Sequence, residues 1–370
     1  MKSFATLLAF VLALGVSVDA IPAPPSNKED PSVGRCKKPV IRKEWRTLSN
    51  KEKDNFLKAV NCLHKQKKAK TTKFYPGATT RFEDFIAEHK QQTPYIHLVG
   101  HFLPWHRLFI AEFENTIRKE CKYDGGVPYW DYTKDSEDIA LAPVFADSHG
   151  FGGNGTPPPG TSPEPFVPYC VTTGPFANWT LNIGPGVSQE RLAEPRCLSR
   201  SIWKDIATVW MAPEIEAEIK RQTYFGAMTR SLEGEPTFEE VGMHGAGHFV
   251  VGGTSSDVFT SNTEPIFYLH HANLDRIWWE WQQTNYADRL WDISGSIIPR
   301  RPDVFEGGDY SNLPSGNVTL DFPLSMGKLN TGKDGNVKIK QIMDVFGGKK
   351  DKKDKDAGVL CYNYDSTPDA

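Results

Sequence analysis

The chain has 370 residues, a formal net charge of −3, and 39% hydrophobic and 12% aromatic content, which is enough to build a substantial core. No basic stripe marks a nucleic-acid partner. No apolar run reaches the roughly 20 residues that a membrane-spanning helix needs, so neither partner class is expected.

Residues 1–20 have the form of a secretory signal. Lys2 supplies the positive start, Leu7 to Val18 the apolar stretch, and Val18-Asp19-Ala20 the small-residue cleavage pattern. The mature protein is expected to begin near Ile21, to be secreted and extracellular, and to carry a flexible arm over residues 21–38. Secretion gives Cys36, Cys62, Cys121, Cys170, Cys197 and Cys361 an oxidising compartment, so three disulfides are expected. Spacing leaves the pairing open. We take Cys36–Cys361, Cys62–Cys121 and Cys170–Cys197, which would tie the ends, two helices and one loop. Asn154, Asn178 and Asn317 head glycosylation sequons.

Ser49 and Glu52 read as a capping box opening a helix, with Phe56, Ala59, Val60 and Leu63 on one face. His64 follows among Lys65, Lys67 and Lys68 and is expected to be exposed. A second helix carries Phe82, Phe85, Ile86 and His89 on its buried face, away from Glu88 and Lys90. His97 lies beyond Pro94 in a segment with Gly100, and should come from a loop or irregular turn. The third helix opens near Pro104, with His106, Phe109, Ile110, Phe113 and Ile117 aligned. Residues 124–200, which include His149, are rich in glycine, proline and serine and read as long loops. Two further helices are expected, Phe238 to Phe249 with His244 and His248, and Pro265 to Gln283 with Phe267, His271, Leu274 and Trp278. Residues 286–346 suggest short strands, and 349–356 a charged mobile loop.

A lone histidine on an apolar face is usually a hydrogen-bonded core residue. Here three imidazoles fall in each of two clusters with no carboxylate at ligand spacing, which suits a metal that changes oxidation state. Neutral imidazole suits copper, and copper heads the divalent affinity order. His244 and His248, four apart, share a helix face. A zinc protease would place a glutamate between them. Gly245, Ala246 and Gly247 stand there instead, and should leave room above the metal. His101 and His270 adjoin ligands and remain ambiguous.

Two stretches carry a resemblance: Phe102-Leu-Pro-Trp-His106-Arg107, and Glu264-Pro-Ile-Phe-Tyr-Leu-His270-His271-Ala-Asn-Leu-Asp275-Arg276. They resemble the type 3 copper proteins (tyrosinases, catechol oxidases and haemocyanins), and the short secreted fungal members most of all. The resemblance implies a mainly α fold in which a four-helix bundle core holds two copper ions, with long disulfide-tied loops and a few short strands. It implies His89, His97 and His106 as ligands of one copper, and His244, His248 and His271 as ligands of the other. Asp275 and Arg107 become candidates to orient the imidazoles. Val127 to Asp131, Gly150 to Gly155, Cys170 to Phe176 and His248 to Gly253 extend the likeness. Arg42 and Tyr362 to Tyr364 resemble the pair that closes the domain, so the dicopper domain is set at 39–364 and a short tail at 365–370.

No cysteine lies between Cys62 and Cys121, so a cysteine–histidine crosslink is not expected, nor is a C-terminal plug domain. The implied reaction uses O2 to oxidise small phenols, with o-diphenols or o-aminophenols going to o-quinones and only weak, lagging hydroxylation of monophenols. Glu240 corresponds to an acid that holds a deprotonating water, although a plain surface carboxylate is the equal reading. Gly245 stands where good monophenol hydroxylases often carry Asn or Asp. Val258 and Phe259 are gate candidates over the second copper. A true tyrosinase is the alternative, and a haemocyanin-like oxygen binder a lesser one. The oligomeric state is left open.

Overall fold

The computed structural model describes residues 36–164, 166–237, 239–330, 337–347 and 358–366. The signal segment, nearly all of the N-terminal arm, the 349–356 loop and most of the tail lie outside the described residues.

Helix α1 (Asn50–Lys65) starts where expected: the Ser49 side chain accepts the Glu52 amide, and Glu52 Oε2 accepts the Ser49 amide at 2.8 Å. Helix α2 (Arg81–Ile96) opens on the same reciprocal cap, from Thr80 and Glu83. Helix α3 (Phe102–Cys121) has Pro104 in its first turn, where a missing amide hydrogen costs nothing. After a long connection come α4 (Lys204–Trp210), α5 (Pro213–Arg221), α6 (Phe225–Glu233), α7 (Gly242–Val251), α8 (Ile266–Thr284) and α9 (Tyr286–Arg289). Helix α3 packs on α1, α2 and α8, while α7 packs on α8, α6 and α4. Helices α2, α3, α7 and α8 thus form the core that carries both histidine clusters. Phe82, Phe85, Phe109, Phe113 and Tyr268 fill it, with the Phe113 and Tyr268 rings stacked at 3.5 Å.

The strands are short and peripheral. Strand β1 (Val40–Arg42) runs parallel to the last described strand, Tyr362–Tyr364, in the register Val40 to Tyr362 and Arg42 to Tyr364. Three disulfides join Cys36 to Cys361, Cys62 to Cys121 and Cys170 to Cys197. They tie the two ends, helices α1 and α3, and one loop.

Three expectations are corrected. Residues 124–200 are not loop alone: they hold 3-10 turns and two antiparallel strand pairs, Tyr169–Cys170 with Ser199–Arg200 and Thr180–Ile183 with Arg191–Cys197. That region folds back over α1, so His64 is buried, its ring stacked on Trp179 at 3.9 Å. Helix α7 begins at Gly242, after non-helical residues 239–241, and the expected start at Phe238 lies outside the described residues. Gly242 has φ 64°, which a right-handed helix cannot continue through. Gly234 (φ 77°) packs against Val241 and Gly242 so tightly that a Cβ on Gly234 would lie 2.3 Å from the Val241 carbonyl carbon. The end of α6 at Gly234 therefore lies against the start of α7 at Gly242.

Candidate metal centre

The first cluster is built from α2, its exit and α3. His89 lies on the inward face of α2, fully buried. Pro94 has no amide hydrogen, and the helix stops at Ile96, leaving His97 extended at φ −117° and ψ 149°. The His97 ring takes over the freed acceptor, with Nδ1 3.0 Å from the Thr93 carbonyl. His106 Nδ1 lies 2.8 Å from the Phe102 carbonyl, and His89 Nδ1 lies 3.2 Å from the Phe259 carbonyl. A carbonyl only accepts, so each Nδ1 carries the proton and each Nε2 keeps its lone pair for an ion. The ring centroids stand 5.3, 5.1 and 5.8 Å apart. Nε2 of His89 and of His106 is buried without a hydrogen-bond partner. Such atoms are costly unless a ligand satisfies them.

The second cluster comes from α7 and α8. His244 and His248, one turn apart, bring their Nε2 atoms to 3.1 Å. His270 and His271 add two more imidazoles, and each of the four offers a nitrogen within 4.8 Å of the others. His271 stacks on His106 at 4.4 Å and so stands between the clusters. His270 packs against His248 at 4.8 Å and Tyr132 at 5.8 Å, in space left by Gly247. A Cβ on Gly247 would lie 2.1 Å from His270 Cε1. The space expected above the metal at Gly247 is therefore filled by His270. His97 and His244 rings are 5.9 Å apart, so the clusters share one chamber.

Burial makes the imidazoles of both clusters hard to protonate. His89 and His270 are pushed down to about 3, His97 to about 4, and His106, His244, His248 and His271 fall well below the ordinary value. All are neutral at physiological pH, as nitrogen ligands must be. No carboxylate joins either cluster among the described residues. An all-nitrogen donor set with orphaned buried nitrogens fits two copper ions.

Other residues singled out by sequence fall in varied places. Gly245 is half-buried on α7, and Val241 Cγ2 lies 2.5 Å from where its Cβ would stand. Glu240 is exposed just before α7. Val258 is exposed, while Phe259 is buried and reaches His89 through its carbonyl. Asp275 and Arg107 do not orient imidazoles. Asp275 accepts Arg107 Nε, Tyr362 Oη and Tyr364 Oη, each at 2.5 Å, and Arg42 Nη1 at 3.2 Å. It fastens the chain ends to α8. His101 is a core residue, bonded to the Tyr95 carbonyl at 2.8 Å, and His149 pairs with Asp54. Sequence reasoning missed the Phe259 carbonyl on His89. Nothing in side-chain identity announces a backbone oxygen 170 positions away.

Residues 79–284, which span both clusters, match the common central domain of tyrosinase. The chain is 31% identical to the tyrosinase-like protein phomQ1 of Diaporthe leptostromiformis, over 90% of this chain and 79% of that one. It is 31% identical to the N-acetyl-6-hydroxytryptophan oxidase ivoB of Emericella nidulans, over 88% and 92%. Among solved structures, a point mutant of a polyphenol oxidase from Thermothelomyces thermophila superposes with a TM-score of 0.72 and 30% identity, covering 89% of this chain and 90% of that one. A tyrosinase from Burkholderia thailandensis shares the fold at 14% identity and a TM-score of 0.52, over 90% and 75%.

Proposed function

The chain belongs to the tyrosinase family of copper-dependent oxidases, and from that premise we propose that it favours o-diphenols or o-aminophenols over monophenols. It is a dicopper oxidase acting on phenolic substrates with O2. In the reading proposed here His89, His97 and His106 hold one copper, and His244, His248 and His271 the other. Bound there, the metal pair supplies the electron exchange with O2. The balance for a catechol is two catechols and one O2 giving two o-quinones and two waters, each catechol losing two electrons and two protons.

The chain's own contribution is to hold neutral imidazoles in register and to keep water out. The Thr93, Phe102 and Phe259 carbonyls fix three rings by Nδ1. Phe102 and Phe267 pack against the ligands and exclude solvent. We assign Phe259, with Val258 before it, to the wall of the substrate mouth.

The observation that carries the substrate preference is Gly245. A monophenol must lose a proton of pKa near ~10 before copper can bind its oxygen. A glycine beside His244 offers no side-chain group to hold a deprotonating water. Glu240, exposed ahead of α7, would have to swing in to hold one. Catechols need electron and proton removal but no oxygen insertion. The relative named for N-acetyl-6-hydroxytryptophan oxidation supports small phenolic substrates. The signal-like residues 1–20 and three disulfides support secretion.

Copper-reconstituted protein assayed by oxygen uptake should turn over catechols and o-aminophenols briskly, and monophenols slowly after a lag. Gly245→Asn should raise the monophenol-to-diphenol ratio once Val241 rotates aside. Glu240→Ala in that background should cancel the gain if the carboxylate swings in to hold the water. His106→Ala and His248→Ala should each remove one copper and nearly all oxidation. Brisk, lag-free hydroxylation by the unmodified protein would overturn the preference and leave the ligand assignment standing.

A further inference from the structure

The residue after His97 is held in a conformation it would not choose. Leu98 is buried and has φ 57°, in the left-handed region where a Cβ is unfavourable. Both of its peptide groups are gripped. Its amide donates to Glu233 Oε1 at 2.5 Å, and its carbonyl accepts the Arg300 amide at 2.9 Å. The two gripping residues are themselves joined: Arg300 Nη1 lies 3.3 Å from Glu233 Oε2. Arg300 also donates from Nη2 to the Gly234 carbonyl at 2.9 Å and from Nε to Glu235 at 3.1 Å.

Glu233 is only 4% exposed. A carboxylate so buried is costly unless paired and hydrogen-bonded, and this one is both. It closes α6, and the next helix in the chain, α7, is the one that carries His244 and His248. The backbone that presents a first-cluster histidine is therefore bolted to the segment that delivers the second cluster. The remaining end of the turn is pinned independently, with the Gly100 amide on the Ser296 carbonyl at 2.7 Å.

We propose that Glu233 and Arg300 form a positioning clamp that holds the Leu98 peptide in its left-handed turn and so aims the His97 ring at the first copper. The inference rests on His97 being a ligand of that copper. The clamp replaces water and chain flexibility with two fixed hydrogen bonds, and it makes the geometry of the first cluster depend on the α6–α7 connection.

The test uses the full copper-loaded protein challenged with a chelator, with copper per chain and the spin-resonance spectrum as readouts. Glu233→Ala should speed loss of one copper by about tenfold to a hundredfold, the usual effect of removing a group that orients a ligand. The cupric ion left behind should give the spectrum of His97→Ala rather than that of His248→Ala. Glu233→Gln keeps an acceptor for the Leu98 amide and should retain both coppers at near the normal rate. Leu98→Gly adopts a positive φ at little cost, so L98G combined with E233A should recover most of the lost retention. A merely structural role would not produce that rescue.

Normal copper retention in E233A would overturn the clamp, and so would equal loss of both coppers without rescue by L98G. Should E233A fail to fold, E233Q decides: loss of the first copper there also overturns it. If His97→Ala keeps two coppers, the ligand assignment fails instead, and the two failures are told apart.

Discussion

Gly247 and His270 meet so closely that neither can be changed without regard to the other. Inserting a methyl into that contact forces a side-chain or backbone shift, an overpacking cost of about 1–3 kcal/mol. Gly247→Ala should therefore lower the melting temperature and loosen the second copper, because α7 and α8 are pushed apart between His248 and His271. Adding His270→Ala removes the obstructing ring and should restore both properties in large part. Unchanged copper retention in G247A, or no recovery in the double variant, would contradict this, with copper analysis and thermal melts as the measurements. At this scale the sequence was informative about spacing. His244 and His248 four apart, and His89 in phase with Phe82, Phe85 and Ile86, follow from helical periodicity alone. His270 was ambiguous because adjacent residues on a helix point about 100° apart, and only the packing of α7 on α8 shows what each ring faces.

Among the elements, α1 and α2 show how a covering segment alters a helix's polar side. His64 lies next to a run of lysines, yet the ring is sandwiched against Trp179 and edge-on to Phe82. Glu88 and Lys90, off the apolar stripe of α2, are also buried. Glu88 accepts Tyr75 Oη at 2.9 Å and the Lys328 amide at 2.7 Å, while Lys90 Nζ donates to the Gly184 carbonyl at 2.5 Å. Local sequence could not show this, since the partners arrive from loops up to 240 residues away. His64→Ala should cost stability, with the stacking part alone worth ~0.5–1.5 kcal/mol. It should leave two coppers and normal turnover per folded molecule. A lost copper in H64A would place His64 in the site and contradict the ligand assignment.

For the whole molecule, Asp275 is the point where the strands Val40–Arg42 and Tyr362–Tyr364 are fastened to α8, the helix of His270 and His271. Burial alone would raise its carboxyl. Arg107, Arg42 and the two tyrosine hydroxyls outweigh that and hold it below the usual carboxylate range. A folded-state pKa below the unfolded value of about 3.9 gives stability that is fully present above that value. It is lost as pH falls through the lower, folded one. Acid should therefore release the paired strands Val40–Arg42 and Tyr362–Tyr364 from α8. Asp275→Asn leaves Arg107 without a buried carboxylate and Arg42 with Glu114 alone, and should destabilise by about 3–5 kcal/mol at neutral pH. The melting temperature of D275N should also vary less across the acid range than that of the unmodified protein. An equal acid dependence in both would show that other groups carry it.

Periodicity, capping and residue chemistry by themselves determined the helices that carry the clustered histidines, the nitrogen character of the clusters and an even set of cysteines that pair as three disulfides. These are properties of residues within a turn or two of each other, or of composition. The start of α7, the burial of His64, the carbonyl on His89 and the left-handed Leu98 turn were decided only by tertiary structure. Each depends on a backbone group or covering segment far away in the chain, and backbone hydrogen bonds leave no mark in the order of side chains.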